Sequence, residues 1–186
     1  MRDPKDVCIL FEQDVDFSQT LEHIGIGASQ QLSIAGLHTR KHNSFSILAM
    51  PLGLPSKVGT KQGDRVAFYS FLRNQLDPNG YLLLGFNNAL NLSAGSQANY
   101  QRSSPHQIVR DLEQAGFTAV KLYGAIPGLQ IPEYIFDLDP RAVRFALQNR
   151  FRRKPSILRA LRFLDGTVGW RRMSNFLPCY FAVGSA

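Results

Sequence analysis

Arginine is the residue type with the most chemical potential in this sequence, and it is concentrated. Between Arg141 and Arg172 stand ten basic residues, Arg141, Arg144, Arg150, Arg152, Arg153, Lys154, Arg159, Arg162, Arg171 and Arg172, against the single acid Asp165, while the rest of the chain carries 11 basic and 13 acidic residues. The excess of positive charge therefore belongs to one late segment. A guanidinium is a planar fork that meets phosphate oxygens two at a time, so the segment suits an anionic partner such as a phosphorylated substrate or a lipid surface. Its alternative reading is a solvated helical face. Few aromatics are interleaved with these arginines, unlike the stacking platforms of single-stranded nucleic-acid binders, so nucleic acid is not the expected partner.

The other reactive residue types are sparse. His38 and His42 have the i, i+4 spacing of a ligand pair, but Arg40 and Lys41 lie between them and would repel a cation, so no metal site is expected. Cys8 and Cys179 lie at opposite ends of the chain, without the spacing of a metal knuckle or the density of a disulfide scaffold, and read as small buried residues.

Those residues need a scaffold. The chain has 186 residues, 44% of them apolar and 19% charged, which fits one globular domain of the usual size, about 100–200 residues. No apolar run approaches a membrane span, and the mixed-charge start before Val7 is unlike a secretory signal. The expectation is a cytoplasmic protein. Val7 to Phe11, Ser44 to Met50, Tyr81 to Phe86, Phe117 to Tyr123, Tyr134 to Phe136 and Phe176 to Val183 read as strands, with a weaker one at Leu32 to Ala35. A short helix is expected at Ser18 to Ile24, and Leu37 to Asn43 reads as a polar loop. Asp64 is placed to cap a helix running Arg65 to Leu76, and Ser104-Pro105 to open one that Gly116 ends. Pro140 opens a helix to about Arg153, and Ile157 to Leu164 forms another. Val143, Leu147 and Phe151 on the first, and Leu158, Leu161 and Leu164 on the second, form apolar stripes. Two such basic, amphipathic helices are compatible with contact at a membrane surface, or with simple packing on the sheet.

The order of these elements resembles the second half of a class I S-adenosylmethionine-dependent methyltransferase. That family has a strand, a helix ending L-x-P-x-G, a strongly apolar strand, a helix ending L-x-x-A-G-F, another strand, and a last strand antiparallel to the rest. Here these are Ser44 to Met50, Leu76-Asp77-Pro78-Asn79-Gly80, Tyr81 to Phe86, Leu112-Glu113-Gln114-Ala115-Gly116-Phe117, Thr118 to Tyr123, and Phe176 to Val183. The resemblance implies a Rossmann-like α/β fold: a mostly parallel sheet with helices on both faces, incomplete at its N-terminal end. It divides the chain into a weakly matching stretch, 1–43, a core at 44–140 and 174–186, and a basic helical insertion at 141–173. The segment from Tyr123 to Pro132 resembles more weakly a branch associated with cell-surface polysaccharide assembly.

The first half departs from the family. The methionine end of the cofactor is held by an E/D-x-G-x-G turn after the first strand, and the nearest match, Glu22-His23-Ile24-Gly25-Ile26-Gly27, has one residue too many. A lone G-x-G says little. Aligned instead with the family's second strand, Val7 to Phe11 makes Glu12 the acid for the cofactor ribose, and the central first strand is then absent. The cofactor-side residues implied are Glu12, Met50, Pro51 and Leu52, those beyond the carboxyl ends of the strands. Asn87 or Asn88 would hydrogen-bond an acceptor, or simply end a strand. Tyr123 and Pro127 would line the substrate side, and His106 is a candidate base. Methyl transfer needs nucleophile, methyl and sulfur in line, so positioning matters most. A different class of function is a non-catalytic domain whose patch, Arg144, Arg152, Arg153, Arg159 and Arg162, holds an anionic partner. On the family reading the acceptor is a small molecule or glycan and S-adenosylmethionine is the cofactor; the two basic helices, separately, would make the protein peripheral to a membrane.

Overall fold

The computed structural model describes residues 7–11, 30–33, 45–55, 58–59, 61–90, 101–129, 132–167 and 169–186. Three strands come first: β1 (Val7–Phe11), β2 (Gln30–Ser33) and β3 (Phe45–Met50). Helix α1 (Gln62–Asn74) leads into β4 (Leu76–Asn88), and the two-residue β5 (Arg102–Ser103) into α2 (Pro105–Gln114). Strands β6 (Thr118–Ile126) and β7 (Tyr134–Asp137) precede helices α3 (Pro140–Arg150), α4 (Pro155–Thr167) and α5 (Trp170–Met173), a 3₁₀ turn at Ser174–Phe176, and β8 (Cys179–Ser185). The expected short helix at Ser18 to Ile24 and the loop at Leu37 to Asn43 lie outside the described residues.

Local chemistry explains most of the boundaries. Ser104 Oγ accepts from the backbone N–H of Gln107 and Pro105 fills the first helical position of α2, while Gly116 beyond its end has φ of 92°. Helix α1 begins earlier than expected: Lys61 is its cap, and Asp64 sits in the first turn, where a carboxylate suits the helix dipole. The Asp77-Pro78-Asn79-Gly80 turn is absorbed into β4 as an irregularity, since Phe45 pairs with Leu76 and Ile47 already pairs with Tyr81. Gly80 is needed there, because a Cβ would come 2.8 Å from the Phe45 carbonyl oxygen. The last strand starts at Cys179 rather than Phe176, whose residue closes the 3₁₀ turn.

The sheet runs β2-β1-β3-β4-β8-β6-β7, with β5 paired to β4. Strands β1 to β4 are parallel, and β8 is antiparallel to both β4 and β6. Doubly wound sheets of the dinucleotide-binding type run 3-2-1-4-5. If β1 and β2 are the second and third strands of that scheme, β3 and β4 are the fourth and fifth. The described sheet is then 3-2-4-5, and β1 pairs directly with β3, Cys8 opposite Leu48.

Alternation along the strands sorts the core. Leu48, Leu82, Leu84, Phe86, Tyr180 and Ala182 share one cluster with Phe68, Tyr69 and Leu72 of α1, Ile108 and Leu112 of α2, and Val143 and Leu147 of α3. The alternate positions Phe181, Cys179 and Ala125 form a smaller cluster with Leu52 and Leu129, against which Leu83 and Tyr123 pack. Helix α4 contributes no buried residue to either. No helix among the described residues is long and apolar enough to cross a membrane.

Candidate functional site

In this chain the order of connections reverses between β1 and β3, since the chain moves outward to β2 on one side and to β4 on the other. Ligands of open α/β sheets bind beyond the carboxyl ends of the strands at such a switch point. Met50 ends β3 there and is buried. Pro51 and Leu52 follow in a loop that doubles back over β4: a Cβ on Gly85 would lie 2.0 Å from the Pro51 carbonyl oxygen, and one on Gly53, whose φ is 105°, 2.8 Å from that of Gly85. Two glycines thus let two backbones touch. Gln101 holds the loop down, its backbone N–H donating to the Leu54 carbonyl and its side-chain amide to that of Val58. Glu12 lies outside the described residues, as do Glu22, His23, Gly25, Gly27, His38 and His42.

Asn87 and Asn88 end β4 and are both buried. Asn88 is 1% exposed, and its amide nitrogen donates to the carbonyls of Asn175 and Leu177, both at 2.8 Å, while its Oδ1 accepts from the Leu90 N–H at 3.1 Å. Both amide protons are therefore spent within the protein, and Asn88 acts as a clamp on the chain that enters β8. Tyr180 stacks on Phe86 beneath it and donates to the Ser174 carbonyl; burial pushes its hydroxyl well above the ordinary tyrosine range. Asn88→Ala should cost about 2–4 kcal/mol, because each buried carbonyl left unpaired costs about 1–3 kcal/mol. Asn88→Asp should be as damaging, since a carboxylate accepts and cannot donate. Urea denaturation measures both, and a loss below about 0.5 kcal/mol, the usual surface-substitution scatter, would remove the clamp.

Beside this clamp is a cavity of about 610 Å³. Ile126 and Pro127 from the end of β6, Leu147 and Phe151 from α3, and Leu161 and Leu164 from α4 line it, with the Phe176 to Pro178 segment that Asn88 holds. Arg150 is the one ionisable residue in the lining, and its Nη1 lies 3.1 Å from Glu133 Oε1. The size is that of a small-molecule site, and the lining is more uniformly apolar than most. The stripes of α3 and α4 are legible in the sequence, but not the space between them, which residues from several elements enclose.

The expected site residues are thus distributed over two places. Met50, Pro51 and Leu52 flank the switch point, and Pro127 lines the cavity that Asn88 braces. Tyr123 lies elsewhere: on β6 it alternates with Ile126 onto the opposite face, packed against the cluster of Leu52 and Phe181. His106 is exposed in the first turn of α2. Cys179 donates to the Ala125 carbonyl, and burial pushes its thiol up to about 12, so it is inert. Among the described residues no cluster of His, Cys, Asp and Glu could hold a metal.

No protein-family model matches the sequence. No curated protein matches it significantly. Solved structures do. A S-adenosylmethionine-dependent methyltransferase from Archaeoglobus fulgidus superposes with a TM-score of 0.57 over 97% of this chain and 85% of its own, at 11% identity. A S-adenosylmethionine-dependent methyltransferase from Thermotoga maritima, described as a possible histamine N-methyltransferase, gives 0.52 over 97% and 81%, at 8% identity. Phosphoethanolamine N-methyltransferase 2 of Haemonchus contortus, bound to phosphomonomethylethanolamine and S-adenosylhomocysteine, gives 0.51 at 12% identity, and all of this chain spans 49% of that one. At identities this low the superpositions establish architecture alone: the chain has the fold of the class I S-adenosylmethionine-dependent methyltransferases.

Proposed function

We propose that this chain is a S-adenosylmethionine-dependent methyltransferase domain whose methyl-donor site is incomplete. The observation that carries this is in the sequence beside the switch point: β1 pairs directly with β3, yet no E/D-x-G-x-G turn follows Val7 to Phe11, and the nearest match, Glu22 to Gly27, has one residue too many. On this reading the loop from Met50 to Leu52 flanks the donor, and Glu12, which lies outside the described residues, is the ribose acid. On the acceptor side, the cavity braced by Asn88 would admit a small molecule or the apolar part of a glycan carrier.

The test is calorimetry with S-adenosylmethionine and S-adenosylhomocysteine. The chain alone should show no saturable binding at micromolar concentration, and clear micromolar binding would restore Gly25 and Gly27 as a donor turn. In a protein that does bind, Glu12→Ala should weaken the affinity. Joining a strand, an E/D-x-G-x-G turn and a helix ahead of Val7 separates this reading from a second one, a non-catalytic domain that uses its basic helices to hold an anionic partner. Gain of binding supports the enzyme, and a folded fusion that stays inert supports the second reading.

A further inference from the structure

Helices α3 and α4 have similar sequences in outline and different fates. The stripe of α3 is buried: Val143, Ala146 and Leu147 all face the core. That of α4 is not. Ile157, Leu158 and Leu161 are half-covered, Leu164 is exposed, and no residue of the helix is buried. A helix normally forms on a surface because its apolar stripe finds the core, so α4 is held with that stripe incompletely used.

The segment that contains α4 carries large apolar groups and charge together. Phe145 on α3, Phe163 on α4 and Phe176 just ahead of β8 are 64%, 72% and 66% exposed. Arg144, Arg152, Arg153, Lys154, Arg159, Arg162 and Arg172 are exposed in the same segment, and among the described residues Arg150 alone of its basic residues has a carboxylate partner. Leu161 and Leu164 of the same helix line the 610 Å³ cavity, which presents no ionisable group except Arg150.

We infer that this face is a site for an anionic phospholipid in a bilayer: the arginines around α4 hold the phosphate, the exposed phenylalanines enter the headgroup boundary, and the cavity under α4 takes an acyl chain. Basic residues beside bulky apolar ones are the composition of interfacial helices, and each Lys or Arg near an anionic surface adds attraction that salt screens. Single-stranded RNA would match the charge but not the cavity. Base edges need donors and acceptors, and the lining offers Arg150 alone. The cavity is the one that the proposed function offers to an acceptor, but lipid binding needs no methyl donor and is tested without one.

The experiment uses the whole chain with vesicles of phosphatidylglycerol in phosphatidylcholine, and of phosphatidylcholine alone, at low and high salt. Sedimentation should show saturable binding to the anionic vesicles that weakens at least tenfold on raising salt from 50 to about 500 mM. The Arg159→Glu/Arg162→Glu protein, changed only at exposed positions, should lose at least tenfold with its circular dichroism unchanged. Trp170, the single tryptophan, lies one turn before the cavity-lining Met173, so phosphatidylglycerol brominated along its acyl chains should quench its fluorescence. Equal and negligible binding to both vesicles would overturn the inference. Binding unaffected by the double substitution, or without quenching, would also overturn it, as would retention on a single-stranded RNA with none on vesicles.

Discussion

Replacing Asp111 with alanine will cost the fold about 3–5 kcal/mol, the loss expected when one partner of a buried ion pair is removed. Asp111 Oδ2 accepts from Arg65 Nε at 2.8 Å, joining α2 to α1, and the side chains are 0% and 6% exposed. The pair sits in the apolar cluster of Tyr69, Leu72, Ile108 and Leu112. Tyr69 reports the same environment: burial first, then the Asp111 charge, raise its hydroxyl well above the ordinary tyrosine range. Removing the carboxylate leaves a buried guanidinium with its main compensation gone, and desolvation makes that worse than losing a surface pair. Replacing both residues with apolar ones, Arg65→Met/Asp111→Leu, should recover most of the loss. Urea denaturation of the three proteins measures it, and a loss under about 1 kcal/mol for Asp111→Ala would mean the pair behaves as if exposed.

What the sequence discloses, and what it withholds, follows the range of the interactions involved. Helix α2 is legible because Ser104-Pro105 and Gly116 act on their own neighbours, and β4 because Tyr81 to Phe86 is apolar throughout, although one face is covered only from Gly85 on, Tyr81 being 50% exposed. That Val7 to Phe11 is a strand is legible from its apolar run, but its rank in the sheet is not: β1 lies between β2 and β3, beside the strand that the family order places next to its first strand. Asp111 shows the opposite case. It follows Ile108 by three residues on the apolar stripe of α2, and nothing nearby names Arg65, 46 positions earlier, as its partner. Asn88 reads equally well as a strand end or an acceptor ligand, because its partners at Asn175 and Leu177 are fixed only when β8 docks. The cavity is invisible for a similar reason: its lining comes from residues up to 52 positions apart.

The sheet passes from β1 straight to β3, which puts Val7 to Phe11 at the switch point where a donor-binding strand would stand. Cys8 and Leu48 are register partners on adjacent strands, buried on the same face. Neighbouring strands lie about 4.8 Å apart, and strands two apart about 10 Å, whereas a disulfide needs Cα atoms within about 4.4–6.8 Å. Refolding of Leu48→Cys under oxidising conditions, followed by alkylation and peptide mapping, decides the question. Leu48→Cys should form an internal disulfide with Cys8, leaving only Cys179 to be alkylated. Leu82→Cys, the partner of Leu48 one strand further on, should keep all its thiols. A folded Leu48→Cys protein in which Cys8 remains fully reduced would contradict the account.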